Sequence, residues 1–176
     1  MGDFNKAIAF VLAKEGGYQC RLEDPGNWTG GTQGSGELKG TNFGISAKSY
    51  PSEDIKDMLV SRAMEIYRSD YWNAIRGDEL PDGIALAVMD AAVNQGAKRA
   101  IRWLQIALDL DDIDGTVGPK TVAAAHANTG AWLIRFLVLR SSAYLHTLLD
   151  NPMMRSWACN WMERLFDVEK EVLGGH

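Results

Sequence analysis

Two acidic residues and a threonine near the N-terminus have the types and the order that hydrolysis of a glycosidic bond requires. Glu15 precedes the pair Gly16-Gly17, Asp24 follows after a short polar segment, and Thr41 precedes an aromatic-Gly-Ile run. Such hydrolysis uses one carboxyl group to protonate the leaving oxygen and a second to activate water or to attack the anomeric carbon. We therefore predict Glu15 as the general acid, Asp24 as the second carboxylate, and Thr41 as the hydroxyl that holds water or orients Asp24.

An amphipathic helix is predicted to position Glu15. Its apolar stripe has helical period and consists of Phe4, Ile8, Val11 and Leu12. A glycine in the left-handed conformation commonly ends a helix, so Gly16 places Glu15 in the last turn. The helix dipole there, and burial beside an aromatic residue such as Tyr18, both disfavour an ionised carboxyl group, which is the condition for a general acid at neutral pH. A solvated glutamate at the end of a surface helix is the alternative.

The second carboxylate has competing interpretations. Glu23 is a rival of Asp24, and so is Glu37 in the glycine-rich segment that follows. The tract Asp24-Pro25-Gly26-Asn27 is equally typical of a turn, and a threonine at position 41 is equally typical of a strand. The segment between Asp24 and Thr41 is predicted to be a mobile, glycine-rich hairpin that lines the cleft.

Short motifs spread over nearly the whole chain strengthen this prediction in combination. They are Glu15-Gly16-Gly17-Tyr18, Asp24-Pro25-Gly26, Gly30-Gly31-Thr32, Thr41-Asn42-Phe43-Gly44-Ile45, Tyr67, Tyr71-Trp72, Asp90-Ala91-Ala92-Val93-Asn94-Gln95-Gly96 and Asp114-Gly115-Thr116-Val117-Gly118-Pro119-Lys120-Thr121. Together they resemble glycoside hydrolase family 108, the phage-type N-acetylmuramidases. The second half of the chain resembles the predicted peptidoglycan domain that usually accompanies them, and proteins of this type are also described as secretion activators.

The resemblance implies a mainly α, lysozyme-like helical fold with a small β-hairpin and a glycine-rich flap beside the active-site cleft. It implies a catalytic region at residues 1–95 and a helical peptidoglycan-binding region at 96–176 packed on it. By position, the family's catalytic glutamate falls on Glu15, and the wider phage-lysozyme order of glutamate, aspartate and threonine falls on Asp24 and Thr41. The long segment between these last two residues departs from the simplest members, in which only a few residues separate them.

The activity that the resemblance implies is that of a lysozyme, hydrolysis of the β-1,4 bond between N-acetylmuramic acid and N-acetylglucosamine in peptidoglycan. A lytic transglycosylase, which needs one carboxyl group and releases a 1,6-anhydro product, is the nearest alternative. A noncatalytic protein that binds the wall or assists secretion is the second. The segment from Leu104 to Thr121 also resembles one repeat of peptidoglycan-binding modules, although a structural turn between two helices is an equal interpretation.

Sugar rings present flat apolar faces, so glycan clefts combine aromatic platforms with hydrogen-bonding groups. On this basis we predict substrate contacts from Tyr18, Trp28, Asn42, Tyr71, Trp72, Asp90 and Asn94. Asp90 and Asn94 lie one turn apart on an apolar helix, where they either bind substrate or satisfy each other as buried polar groups. Tryptophans on helical stripes are predicted to lie in the core, and these are Trp103, Trp132, Trp157 and Trp161.

Composition excludes several other classes. The net charge of −5 argues against nucleic acid as a partner. No apolar run is long enough for membrane insertion, and no classical signal peptide is recognised, so we expect synthesis in the bacterial cytoplasm and a holin or other dedicated export route to the cell wall. Cys20 and Cys159 are predicted as free thiols. His126, His146 and His176 show no ligand spacing, so no metal or cofactor is predicted.

Punctuating residues predict the remaining helices. Ser52 is predicted to begin a helix, continuous or broken once, that reaches Trp72, and Pro81 to open one that Gly96 ends. Pro119 is predicted to begin another, followed by a long helix over Ala131 to Leu149 that Asn151-Pro152 ends. Strands are expected only between Gln19 and Ile45.

Overall fold

The computed structural model describes residues 1–128 and 130–174 and confirms a mainly helical fold with a small antiparallel hairpin. Its α-helices are α1 (Phe4–Lys14), α2 (Val60–Tyr67), α3 (Asp82–Gln95), α4 (Ala97–Ala107), α5 (Pro119–Ala127), α6 (Trp132–Asp150) and α7 (Ala158–Gly174). Strands β1 (Thr41–Asn42) and β2 (Ile45–Ser46) pair with Thr41 opposite Ser46 and Asn42 opposite Ile45.

The chain forms two compact units. The small unit is Ile8–Arg68, and the large unit combines Met1–Ala7 with Ser69–His176. The division therefore falls inside α1 and again just after α2. The boundary that we predict between residues 95 and 96 lies within the large unit, between α3 and α4, and stays a prediction.

In the small unit a tight turn joins the two strands. Phe43 and Gly44 occupy the turn with φ of 50° and 77°, the left-handed pair that a two-residue hairpin needs to match strand twist. The helix predicted from Ser52 is wrong at its start, because α2 begins only at Val60. Asn42 supplies the physical reason: its side-chain amide donates to the carbonyls of Ile55 (3.1 Å) and Lys56 (3.4 Å), which holds this segment in a non-helical path.

In the large unit α3 is the central helix. Its residues from Ile84 to Ala92 are all buried, and it packs against α4 and α7, while α6 packs against α4 and α7. The alanines of α3 permit this close approach because small side chains let helix backbones come near each other. Pro81, Gly96 and Pro119 mark helix boundaries as predicted.

The four tryptophans predicted for the core differ in burial. Trp103 and Trp132 are buried, Trp161 is half-buried, and Trp157 is 54% exposed, so the prediction is wrong for Trp157. It ends a short 3₁₀ segment, Pro152–Trp157, rather than lying on a helical stripe.

No single helix in the described ranges is long and apolar enough to cross a membrane, although α5 and α6, bent by 119° at their break, reach the required length and hydropathy as a pair.

Candidate active site

Glu15 is the first residue after α1, and its backbone N–H still donates to the carbonyl of Val11 at 3.2 Å. The prediction that a glycine in the left-handed conformation ends α1 is wrong, since neither Gly16 nor Gly17 has a positive φ. The chain instead continues to Gln19, which exchanges two backbone hydrogen bonds with Thr41, of 2.9 and 2.8 Å. This bridge, rather than a glycine cap, fixes how the chain leaves the helix that carries Glu15.

The side chain of Glu15 is half-buried against the hairpin turn. A Cβ atom placed on Gly44 would lie 2.7 Å from Glu15 Oε2 and 2.7 Å from the Tyr67 hydroxyl oxygen. Tyr67 is 2% exposed, and its hydroxyl donates to the carbonyl of Phe43 at 2.8 Å. The carboxyl group, the phenol and the bare Cα of Gly44 therefore form one cluster. The Gly-Ile motif signalled that Gly44 matters, but not that it faces Glu15.

Asp24 has both carboxylate oxygens engaged in local structure. Oδ1 accepts from the backbone N–H of Gly26 at 2.9 Å and so caps the 3₁₀ turn Pro25–Asn27. Oδ2 accepts from the side-chain amide of Gln19 at 3.1 Å. Asp24 is therefore a turn residue, as the alternative interpretation of its tract predicts. The same two bonds hold its carboxylate in a fixed orientation, half-buried.

A buried amide network links Asp24 to Thr41. Asn27 has no exposed surface, and its Oδ1 accepts from the Thr41 hydroxyl at 2.8 Å and from Gln19 Nε2 at 3.0 Å. Asn27 Nδ2 in turn donates to Gln19 Oε1 at 2.9 Å. The structure thus brings the two predicted residues together through Gln19 and Asn27. Sequence reasoning missed both, because Asn27 was explained by the turn in which it lies.

The rival carboxylates lie outside this network. The Glu37 side chain is 76% exposed and pairs with Lys39 at 3.5 Å, and Glu23 is also exposed. The glycine-rich flap between them is folded by backbone bonds, including a bridge between Trp28 and Leu38.

Among the predicted substrate contacts of the small unit, two aromatic residues keep accessible surface. Tyr18 is 41% exposed, and a hydrogen bond with the Cys20 thiol raises its pKa above the usual value. Trp28 is half-buried and donates its indole N–H to the carbonyl of Leu22 at 2.9 Å. The prediction that Asn42 contacts substrate is corrected, because this residue is 6% exposed and its side-chain amide is already bound to backbone carbonyls.

In the large unit, two further predictions of substrate contact are corrected. Trp72 is fully buried, donates to Asp78 at 3.0 Å and packs edge-on against Phe4, so it has no face left for a sugar. Asp90 is also fully buried, and its carboxylate contacts Arg140 and Arg164, each at 2.9 Å.

The other two predicted contacts in this unit keep accessible surface. Tyr71 is half-buried, and Asn94 is exposed, with Oδ1 accepting from the Tyr144 hydroxyl at 2.7 Å. Asp90 and Asn94 therefore have separate partners and do not satisfy each other.

Within residues 1–128 and 130–174, no three His, Cys, Asp or Glu side chains lie close enough together to hold a metal ion. His176 lies outside the described residues. Cys20 and Cys159 are both free thiols.

Comparison with known proteins adds two findings. The family model described as glycosyl hydrolase 108 matches residues 8–96. The solved structure titled "Structure of Brucella abortus SagA" is 29% identical to this chain, with 97% of this chain and 94% of that chain covered at a TM-score of 0.75. The structural match supports the lysozyme-like assignment of the fold. No curated protein matches the chain.

Proposed function

The chain belongs to glycosyl hydrolase family 108, and from this premise we propose that it is an N-acetylmuramidase that cleaves the β-1,4 bond between N-acetylmuramic acid and N-acetylglucosamine in peptidoglycan. Membership makes it a glycoside hydrolase at the level of the family. The observation that carries the finer proposal is the position of Glu15. Its carboxyl group is held against Gly44 and beside the Tyr67 hydroxyl, yet the side chain keeps access to solvent.

In the proposed mechanism Glu15 protonates the glycosidic oxygen as the bond to N-acetylmuramic acid breaks. General acid catalysis of this kind requires the proton donor to be fixed within hydrogen-bond reach of the leaving oxygen. The turn at Phe43 and Gly44 serves this need by limiting where the carboxyl group can lie.

Asp24 and Thr41 act on the transition state and on the attacking water. The carboxylate of Asp24 stabilises the positive charge of the oxocarbenium-like transition state or activates water. The Thr41 hydroxyl donates a hydrogen bond to Asn27 Oδ1 at 2.8 Å, so its oxygen remains able to accept a hydrogen bond from the attacking water. The Gln19–Asn27 amide pair keeps both groups in place before substrate arrives.

The remaining parts of the proposal concern recognition and location. Tyr18, Trp28 and Tyr71 offer partly exposed aromatic rings for sugar contacts. Residues 96–176 bind the peptidoglycan strand, and the enzyme reaches the wall through a holin or another dedicated export system.

A comparison of wild type with Glu15→Gln on isolated sacculi tests the general acid. The variant keeps the shape of the side chain but has no proton to donate, so we expect reducing-sugar release to fall by about 10² to 10⁴, with binding to sacculi retained. Glu23→Gln, a nearby exposed glutamate, is the matched control and should match wild type. Equal release by Glu15→Gln and wild type would reject the assignment. Wild-type binding without any sugar release would favour the noncatalytic alternative.

Asp24→Asn separates the charge of Asp24 from its structural bonds. Asparagine can still accept from Gly26, but its own amide would face the donor Nε2 of Gln19, which Asn27 holds in place, so one hydrogen bond is lost and circular dichroism is needed to check that the fold is kept. We expect sugar release to fall by about 10² or more because the negative charge facing the transition state is lost. Mass spectrometry of the wild-type products provides the second measurement. Reducing ends support hydrolysis, whereas 1,6-anhydro ends would identify a lytic transglycosylase, for which the charge of Asp24 is dispensable.

A further inference from the structure

The outer face of α6 is apolar although it is in contact with solvent. Four large side chains that share this face at helical spacing are exposed, namely Ile134, Val138, Leu145 and Leu149. The only acidic residue, lysine or arginine between Arg135 and Asp150 is Arg140, which is fully buried on the opposite face. A surface helix ordinarily turns polar residues to solvent, and a helix that is apolar all round is ordinarily buried. The pattern of α6 is therefore that of a helix covered on both faces.

This apolar surface continues from α6 onto the 3₁₀ segment Pro152–Trp157 and onto α7, and these three elements contact one another. Together they expose ten large apolar side chains, and we call this region the α6–α7 surface. With roughly 100 Å² for each side chain, the exposed apolar area is on the order of 1,000 Å². The largest apolar patch of an ordinary monomer is about 300 to 600 Å², whereas a stable complex buries about 800 Å² on each partner. The area therefore suffices for a stable protein interface.

The α6–α7 surface contains a recess and a projection. The recess is a groove of about 270 Å³ between α6 and α7, in which Val138 and Phe166 are among the lining residues and only Ser141 and Glu169 are polar. The projection is the 3₁₀ segment that follows α6, where Met153 is 90% exposed and Trp157 is exposed as well. An isologous interface pairs each part of a patch with another part of the same patch on the second copy. A recess and a projection on one surface meet this requirement.

The charges of the recess and the projection are also complementary. Glu169 lines the groove, and Arg155 lies in the projecting segment and is exposed. Neither takes part in an ion pair within residues 1–128 and 130–174. The length of α7 keeps them apart in one chain, since Ala158 and Glu169 are separated by about 16 Å along the helix. Insertion of the projection of one copy into the groove of another brings the two charges together.

A lipid surface is the other occupant that suits an apolar face of this size. Proteins that lie on membranes ordinarily surround the apolar face with lysine and arginine, which attract anionic lipids. Here exposed Asp150 and Glu163 directly follow Leu149 and Met162 of the surface, and Glu169 lines its groove. The whole chain has a net charge of −5. These charges disfavour a lipid surface and favour a protein surface of matching shape.

We propose that the α6–α7 surface joins two copies of this chain in a dimer with two-fold symmetry. Met153 and Trp157 of one copy lie in the groove between α6 and α7 of the other, and Arg155 pairs there with Glu169. The two-fold axis repeats both contacts, so each copy contributes one groove and one projecting segment. The outer face of α6 is thereby removed from water. The inference does not depend on the proposed function, because no substrate takes part in it.

Sedimentation velocity and light scattering of the full chain at about 1 to 100 μM measure this association. We expect a dimer whose share rises with concentration. Phe166→Lys places a charge in the apolar groove and should weaken the dimer at least about tenfold. The matched control is Leu59→Lys, because Leu59 is 70% exposed and lies outside the α6–α7 surface, while Phe166 is 66% exposed. The control should dimerise like wild type. Circular dichroism checks that both variants are folded.

Reversal of the two charges tests the contact between the copies. Arg155→Glu and Glu169→Arg should each weaken the dimer by about fivefold, because each places like charges opposite one another. The double variant, with both changes in every chain, should restore association to near the wild-type level. Such recovery requires a contact between two copies, since the two residues form no ion pair within one chain.

Three results would overturn this proposal: a wild type that stays monomeric up to about 100 μM, a Phe166→Lys variant that dimerises like wild type, or a double charge variant that associates no better than the single variants. Sedimentation with vesicles of phosphatidylglycerol and phosphatidylethanolamine covers the lipid alternative. Vesicle binding by monomeric wild type that Phe166→Lys loses would assign the surface to lipid and reject the dimer.

Discussion

Gly44 shows how the absence of a side chain shapes the candidate site. Its backbone has φ of 77°, a conformation that L side chains rarely adopt, and its Cα faces both Glu15 Oε2 and the Tyr67 hydroxyl. Phe43, beside it, is held at φ of 50°, which is unusual for an aromatic residue and is stabilised here by the Tyr67 bond to its carbonyl. The turn and the carboxyl group of Glu15 are therefore sterically dependent on each other.

Gly44→Ala tests this dependence, with Gly34→Ala as the matched control. Gly34 has nearly the same φ of 80° but nothing within 4 Å of an added Cβ. Both variants bear the backbone strain of about 1 to 2 kcal/mol, and only Gly44→Ala also displaces Glu15. We expect sugar release to drop by about 10²-fold in Gly44→Ala, since a misplacement near 1 Å costs about that much. Gly34→Ala should stay near wild type.

Equal activity of the two alanine variants would show that the position of Glu15 does not depend on the turn. Chemical denaturation of both proteins provides the second comparison. If Gly44→Ala does not fold, Tyr67→Phe serves as the second variant. It loosens the same turn by removing the hydrogen bond from Tyr67 to the carbonyl of Phe43.

At the level of elements, α3 is fixed by a charge buried within it. Asp90 lies in its middle with no exposed surface, between Arg140 of α6 and Arg164 of α7. Both arginines are nearly or fully buried as well. Removing the charge of one partner from a buried ion pair is strongly destabilising, because the remaining charges stay uncompensated in a poorly solvated interior. The three helices are therefore tied together by a polar cluster as well as by apolar packing.

Asp90→Asn should lower the free energy of unfolding by about 3 to 5 kcal/mol, the cost of leaving buried charges uncompensated. The matched control is Asp109→Asn, which removes an ion pair with Arg135 in which the aspartate side chain is 75% exposed. An exposed pair contributes at most about 1 kcal/mol. Urea unfolding followed by circular dichroism measures both. A loss for Asp90→Asn no larger than that of the control would mean that the cluster is not a stabilising contact.

At the level of the whole molecule, the family match and the folded units divide the chain differently. The match ends at residue 96, whereas α3 and α4, on either side of this point, belong to the same compact unit. The apolar surface of α3 is covered by α4 and α7. The region that resembles the catalytic part of the family is therefore not self-sufficient in its core.

Truncation after Gln95 tests this conclusion. Without residues 96–176 the buried positions from Ile84 to Ala92 would face water, so we expect fragment 1–95 to be unfolded or aggregated and to release no sugar. Amide NMR dispersion and sensitivity to protease measure its fold against the full chain. A dispersed spectrum together with activity would show that 1–95 is an independent catalytic domain.

Local sequence patterns determined much of this protein. The apolar period predicted α1, and Pro81, Gly96 and Pro119 marked helix boundaries because proline and glycine act on the backbone wherever they stand. The Glu-Gly-Gly-Tyr and Gly-Ile motifs identified the family. The apolar period also placed Glu15 at the end of α1, although the left-handed glycine expected to end this helix is not found there.

Only the tertiary structure decided which polar and aromatic side chains remain available. Trp72 and Asp90 have the residue types of a substrate site, but distant residues enclose them, and Asn27 joins Asp24 to Thr41 only because the chain folds back on itself. The approach of Gly44 to Glu15 is equally a contact between separate elements. Burial and hydrogen bonding depend on partners far along the chain, so periodicity and turn chemistry, which act over a few residues, cannot determine them.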